Sequence, residues 1–236
     1  MLLAFNTIIT EKYKIGFDVK ILPFIMNEFP YEIVHLEDEI LDDFITNEEI
    51  FSKYSHLLIT GSSLSASKGS KFDKIIMMVI NYFIEMEKPI LGICHGHQMI
   101  ARAIVGTNAC RRTTTPEFGW KKMQIKENPL FTGISSPVFL ESHYDEVCNF
   151  NDDFTIIATN EDCAVQAFQY KNLPVWGVQF HPEMQFENGN EMVKNHLLEF
   201  PNDNKYYKDE LENEIQIKQN FLIFKNFINS EKYGDQ

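Results

Sequence analysis

The chain has 236 residues, 44% of them hydrophobic. That is enough to bury roughly 70–75% of the surface an unfolded chain exposes, and it favours one domain with additions. Asp and Glu outnumber Lys and Arg by 34 to 21, for a net charge of −13, with no basic tract to neutralise nucleic-acid phosphates and no apolar run near the ~18 residues of a membrane span.

The first half alternates strand and helix signals. Runs within 1–9 and 32–36 predict strands, and His56–Thr60 predicts a clearer one, ended by the small-residue loop Gly61–Ser70. Apolar Phe72, Ile75, Ile76, Val79 and Phe83 recur at helical spacing and predict a helix over 72–86. A short buried strand follows over 89–93, then a helix over 98–105 stopped by Gly106. This alternation predicts an α/β fold: an open, mostly parallel sheet with helices on both faces.

The second half reads as successive short strands, over 122–125, 138–140, 154–158, 164–170 and 175–180. They predict a small antiparallel addition before the chain returns to the main sheet. Residues 1–200 are expected to form the domain. The charged tail 201–236 carries apolar Phe221, Phe224, Phe227 and Ile228, which predict a terminal helix packing back on it.

Cysteines fall at 94, 110, 148 and 163, without a C-x-x-C pair, and read as reduced thiols of a cytoplasmic protein. No positive segment precedes the short N-terminal apolar run, so no signal peptide is read there.

The most informative stretch is Lys88-Pro-Ile-Leu-Gly-Ile-Cys-His-Gly-His-Gln-Met-Ile100. A strand, then Gly92-x-Cys94-x-Gly96-x-Gln98, then a helix describes a sharp turn that holds a nucleophile exposed on strained backbone. The helix start supplies free N–H groups and a positive dipole end, which favour thiolate over thiol. A lone Cys is more often a small buried hydrophobe, but the glycine spacing reverses that reading here. Cys94, His95 and His97 also cluster, yet zinc sites want four ligands at recognisable spacings. No metal and no cofactor is expected.

Downstream, Val175-Trp-Gly-Val-Gln-Phe-His-Pro-Glu183 ends a strand at His181. Nucleophilic catalysis needs a base to take the thiol proton and return it to the leaving amine. Glu183 would hold that imidazole in one tautomer, and Pro182 stiffens the corner between them.

Together the two segments resemble the class I glutamine amidotransferase family. Gly92-Ile-Cys94-His-Gly96-His-Gln98 is similar to its nucleophile motif and Gly177-Val-Gln-Phe-His181-Pro-Glu183 to its His–Glu motif. Glu117-Phe-Gly119-Trp120 and Ser142-His143-Tyr-Asp145-Glu-Val147 resemble further family segments in the expected order. The resemblance implies a flavodoxin-like sheet with Cys94 at a strand's carboxyl end. It implies attack by Cys94 on a glutamine side-chain amide, with a γ-glutamyl thioester intermediate. It also implies substrate grips at Gln98 and around Ser142 and His143, and an oxyanion hole from the backbone of Gly61 or Ser62 and of His95.

One departure concerns the substrate. Many members read Gly-Gly-Pro in the oxyanion loop, where this chain reads Thr60-Gly61-Ser62-Ser63-Leu64-Ser65. A Gly-Ser loop and the His143–Val147 segment resemble the γ-glutamyl peptidase branch, which acts on glutathione-like compounds. Only about fifty residues follow 185, too few for a fused synthetase, and no Gly-x-x-x-x-Gly-Lys-Ser/Thr sequence is present. Either a separate synthetase accepts the ammonia or the freed acid is the product. An idle binding protein on the same fold is the alternative from another class.

Overall fold

The structure, a computed structural model, describes residues 1–230. The last six residues of the charged tail, 231–236, lie outside the described residues. In chain order the strands are β1 (Leu2–Asn6), β2 (Tyr31–His35), β3 (His56–Ile59), β4 (Ile90–Ile93) and β5 (Cys110–Lys122). They continue with β6 (Gln124–Ile125), β7 (Val138–Val147), β8 (Phe154–Thr159), β9 (Ala167–Tyr170) and β10 (Val175–Val178). The helices are α1 (Glu11–Gly16), α2 (Leu22–Met26), α3 (Glu39–Thr46), α4 (Asp73–Glu85), α5 (His95–Val105), α6 (Phe186–Glu199) and α7 (Leu222–Ile228).

An 8-stranded sheet runs in the order β2-β1-β3-β4-β10-β9-β8-β6. Its β2-to-β10 half is parallel, and β9, β8 and β6 extend it antiparallel. The parallel strands are apolar at successive positions because both of their faces are covered. Leu3, Phe5, Leu57 and Ile59 point into the layer shared with α4 and α5. Leu2, Ala4, Leu58, Leu91, Ile93 and Val178 point into the opposite layer, which Phe224 and Phe227 of α7 also enter. Because β1 connects to β2 on one side and β3 lies on the other, the carboxyl ends of β1 and β3 border a crevice where ligands bind in such sheets.

A second sheet pairs β5 with β7, with a bulge between Arg112 and Glu117. β5 begins at Cys110, well before the strand predicted over 122–125. Its Arg-Arg-Thr-Thr-Thr-Pro start carries no apolar alternation, and Pro116 falls in the bulge, where proline is tolerated. Helix α6 gave no clear signal because Asn188, Gly189 and Asn190 are weak helix formers. Packing decides it: a Cβ on Gly189 would lie 2.7 Å from the Trp120 ring, so α6 docks against β5. The tail then runs along β5, with Lys208 N donating to Phe118 O at 3.0 Å and Glu210 N to Trp120 O at 2.8 Å. That close crossing leaves no room for a side chain at Gly119, whose φ is +109°.

Candidate active site

Helix α5 starts one residue after Cys94, and the cysteine sits at φ 50°, ψ −102° between strand and helix. Positive φ is costly for a residue with a Cβ and is held only where the surroundings enforce it. They do so here. Cys94 N donates to Val178 O at 2.8 Å, and Cys94 O accepts from Gln98 N at 3.1 Å. A Cβ on Gly92 would sit 2.5 Å from the Gly96 carbonyl carbon, and one on Gly96 would sit 2.6 Å from Ile59 O. The two glycines therefore let β3, β4 and α5 meet at backbone distance.

His181 arrives from the end of β10. Its N–H donates to Leu140 O at 2.8 Å, and its Nδ1 lies 2.7 Å from Glu183 Oε1. Nε2 is thereby the ring nitrogen left for Cys94. Burial opposes protonation of His181, but the Glu183 carboxylate and a side-chain hydrogen bond with Cys94 carry its proton affinity well above the ordinary value. A Cβ on Gly61 would lie 3.0 Å from His181 Cε1 and 3.5 Å from Cys94 Cβ, so the loop after β3 closes the same space. Cys94, His181 and Glu183 are 6%, 8% and 5% exposed. The chemistry would thus run in a nearly water-free setting, where charge–charge interactions are strong.

The other thiols lack such a neighbour. Burial pushes the Cys110 thiol up to about 12 and raises Cys163 further. Burial also raises Cys148.

Around the sulfur, Ser142 O is 4.0 Å from Cys94 Sγ, and Gln179 Nε2 approaches Sγ at 3.6 Å. Gln98 Nε2 donates to Asp145 O at 2.7 Å and to Gln179 Oε1 at 3.0 Å. Gln98 therefore reaches the sulfur through Gln179. Gln179 was not singled out from the sequence; the available signal was a glutamine interrupting the apolar run that leads to His181. Ser62 Oγ donates to Thr7 O at 2.7 Å and ties the start of the loop to the end of β1. The His95 ring is buried and held neutral, its pKa pushed by burial to about 4, while its backbone opens α5.

The ring of His143 turns away from Cys94's pocket into a buried polar network. Its Nε2 lies 2.9 Å from Glu117 Oε2 and 3.4 Å from Glu141 Oε2. Glu117 also accepts from Asn160 Nδ2 at 2.6 Å and Gln166 Nε2 at 2.8 Å, and pairs with Lys121 at 3.0 Å. Burial works against the Glu117 carboxylate, but His143 and Lys121 hold it below the usual carboxylate range. Ligand atoms of Glu117, Glu141 and His143 lie within 4.8 Å of one another, the spacing of a cation site. The Lys121 ammonium already supplies positive charge there.

Glu141 is fully buried, and neither of its oxygens has a conventional hydrogen-bond partner. Burial first, and the nearby Glu117 charge second, raise its pKa well above the usual carboxylate value. The folded chain therefore keeps a proton that the unfolded chain loses near pH 4.5. Stability from this group is full below that pH and falls as pH rises through the raised folded value. Glu141→Gln keeps the shape and removes the ionisation. It is expected to be more stable than the parent above neutral pH, by about 1–3 kcal/mol, and equal to it near pH 4. Urea midpoints across pH check this; parallel curves for the two proteins would rule it out.

Residues 8–200 match the family profile described as glutamine amidotransferase class-I. The chain belongs to that family. It is 37% identical over 120 residues to the glutamine-hydrolyzing subunit of GMP synthase from Pyrococcus furiosus, covering 50% of this chain and 63% of that one. The chain thus spans under two thirds of the length of that curated relative. The protein of the same name from Methanosphaera stadtmanae is 30% identical over 173 residues, covering 69% of this chain and 88% of the relative. Among solved structures, a glutamine amidotransferase from Thermotoga maritima superposes with a TM-score of 0.68 at 20% identity, covering 97% of this chain and 98% of that one. A glutamine amido transferase from Methylobacillus flagellatus gives 0.67 at 15% identity, covering 100% and 97%. At these identities the structures speak to the fold: the parallel sheet, its flanking helices and the antiparallel addition are those of the family. No helix among the described residues is long and apolar enough to cross a membrane.

Proposed function

We propose that this chain hydrolyses the side-chain amide of glutamine through a γ-glutamyl thioester on Cys94 and delivers the ammonia to a separate synthetase. The observation that carries this reading is the convergence of Cys94, His181 and Glu183, from the ends of β4 and β10, in one buried space. His181 takes the Cys94 proton as sulfur bonds to the amide carbon. Backbone N–H groups of Gly61 or Ser62 and of His95 receive the oxyanion. His181 then protonates the departing nitrogen, the C–N bond breaks and ammonia leaves. Water attacks the thioester while His181 accepts its proton, and that proton returns to sulfur as glutamate is released. Gln98 and the Ser142–His143 backbone hold the substrate's amino and carboxylate groups. Residues 1–200 form the catalytic unit, and the tail 201–236 packs against it.

The synthetase half of the proposal is supported by the relatives, which are named as the glutamine-hydrolyzing subunit of GMP synthase. A second reading, a γ-glutamyl peptidase, is favoured by Gly61-Ser62 standing where many members have Gly-Gly-Pro. The test offers the purified protein glutamine, glutathione and γ-glutamyl dipeptides, and follows ammonia, glutamate and amine. Ammonia from glutamine supports the first reading, amine from dipeptides the second. Turnover of none, together with no labelling of Cys94 by a glutamine-like diazo-ketone, points to an idle binding protein.

Glu183→Gln tests the orienting carboxylate. It keeps the volume and removes the charge that fixes the His181 tautomer. A fall in kcat of about 10²–10⁴-fold is expected with the thermal midpoint retained. A change under threefold would remove Glu183 from the mechanism.

A further inference from the structure

The oxyanion loop of this chain lacks the rigid Gly-Gly-Pro sequence, so something else must fix its donors. Donors must lie about 2.7–3.1 Å from the oxyanion to stabilise it, and a free loop of small residues does not hold such tolerances. Its near end is tied by Ser62 to Thr7. Its far end meets β7: Asp145 Oδ2 accepts from Ser65 Oγ at 2.6 Å and from Ser67 N at 3.0 Å. Asp145 is 5% exposed, and its Oδ1 lies 3.6 Å from the Arg112 guanidinium. The backbone oxygen of the same residue accepts from Gln98 Nε2 at 2.7 Å. One residue thus joins the loop, the strand whose Ser142 carbonyl faces Cys94, and helix α5. Burial disfavours the Asp145 carboxylate, but Ser65, Ser67 and Arg112 hold it below the usual carboxylate range. Hydrogen bonds to a charged acceptor are roughly twice as strong as neutral ones.

We propose that Asp145 and Ser65 form a clamp that positions the oxyanion loop, taking over the role that backbone rigidity plays in a Gly-Gly-Pro loop. The inference rests on the hydrolase reading above, and it makes both residues positioning residues. Neither need touch the substrate. Their effect is on where the Gly61 and Ser62 N–H groups stand.

The test uses the full chain with Ser65→Ala, Asp145→Ala, the double variant and Ser65→Thr. Ser65→Ala and Asp145→Ala are expected to lower kcat by on the order of 10-fold and 10²-fold, because small displacements of reacting groups cost that much, while KM changes less than threefold. Alkylation of Cys94 by iodoacetamide, followed on its own peptide by mass spectrometry, should keep the parent rate, since it needs no oxyanion donor. The double variant should be no slower than Asp145→Ala, and Ser65→Thr, which keeps the hydroxyl, should retain parent kcat. Amide hydrogen exchange over residues 62–70 should quicken in the Ala variants. Parent-like kcat and unchanged exchange in Ser65→Ala would overturn the clamp, and so would an equal loss of Cys94 alkylation. Ser65→Ala removes only a hydroxyl and keeps the test decisive if Asp145→Ala does not fold. If the parent itself turns over no γ-glutamyl amide, the functional reading fails alone, and the exchange rates still decide whether the clamp exists.

Discussion

Replacing Cys94 with alanine should abolish hydrolysis of γ-glutamyl amides, by at least about 10⁴-fold in kcat, and leave the fold in place. The sulfur is the only atom at this position that could bond to an amide carbon, and the other three cysteines are distant in role: their thiols are raised by burial. The fold should survive because the backbone hydrogen bonds that hold the turn, from Cys94 N to Val178 O and from Gln98 N to Cys94 O, do not involve the side chain. Cys94→Gly separates the chemistry of the sulfur from the strain of the backbone. Glycine accepts the φ of 50° without a Cβ penalty, so this variant should be equally inactive and at least as stable as Cys94→Ala. Thermal midpoints and a glutaminase assay check both. Residual turnover within tenfold of the parent in either variant would take the nucleophile away from Cys94, and collapse of Cys94→Ala would make the residue structural.

A second large effect should come from a single methyl group. In Gly96→Ala the new Cβ would stand 2.6 Å from Ile59 O and 3.0 Å from Ile59 Cβ. Ile59 belongs to β3, which is pinned between β1 and β4, so the strand cannot yield. Helix α5 must lift instead, and its residues from His95 to Arg102 are all buried. Overpacking of this kind costs about 3 kcal/mol or more when backbone has to move. Lifting α5 also displaces the His95 N–H and the Gln98–Gln179 link to the sulfur. The expected result is a lower urea midpoint together with loss of turnover. Gly16→Ala is the control: nothing lies within 4 Å of a Cβ there, so it should be neutral or slightly stabilising. A Gly96→Ala protein with parent stability and activity would show that the close approach of β3 and α5 is not required.

By itself the sequence determined the parts that depend on local pattern. Apolar runs separated by small-residue turns specified β1, β3, β4 and α4, because strands covered on both faces must be apolar throughout and a helix over a sheet must be apolar at its own period. The glycine spacing around Cys94 was legible for a related reason: only a backbone forced through a tight strand-to-helix turn needs Gly92 and Gly96 where they stand. Phe224 and Phe227 likewise announced a buried face in the tail.

What pairs across the chain was decided by tertiary structure. The polar start of β5 carries no apolar alternation, and it is a strand only because β7 supplies its hydrogen-bond partners. Helix α6 is a poor helix in isolation and is held by its dock on Trp120. Within the site, the sequence named Gln98 and His143 but could not say that one reaches the sulfur through Gln179 while the other turns into a buried carboxylate network. Nor could it show Ser65 meeting Asp145, eighty positions apart. A side chain's partner depends on which strands become neighbours, and that order is settled by the packing of whole layers rather than by the residues beside it.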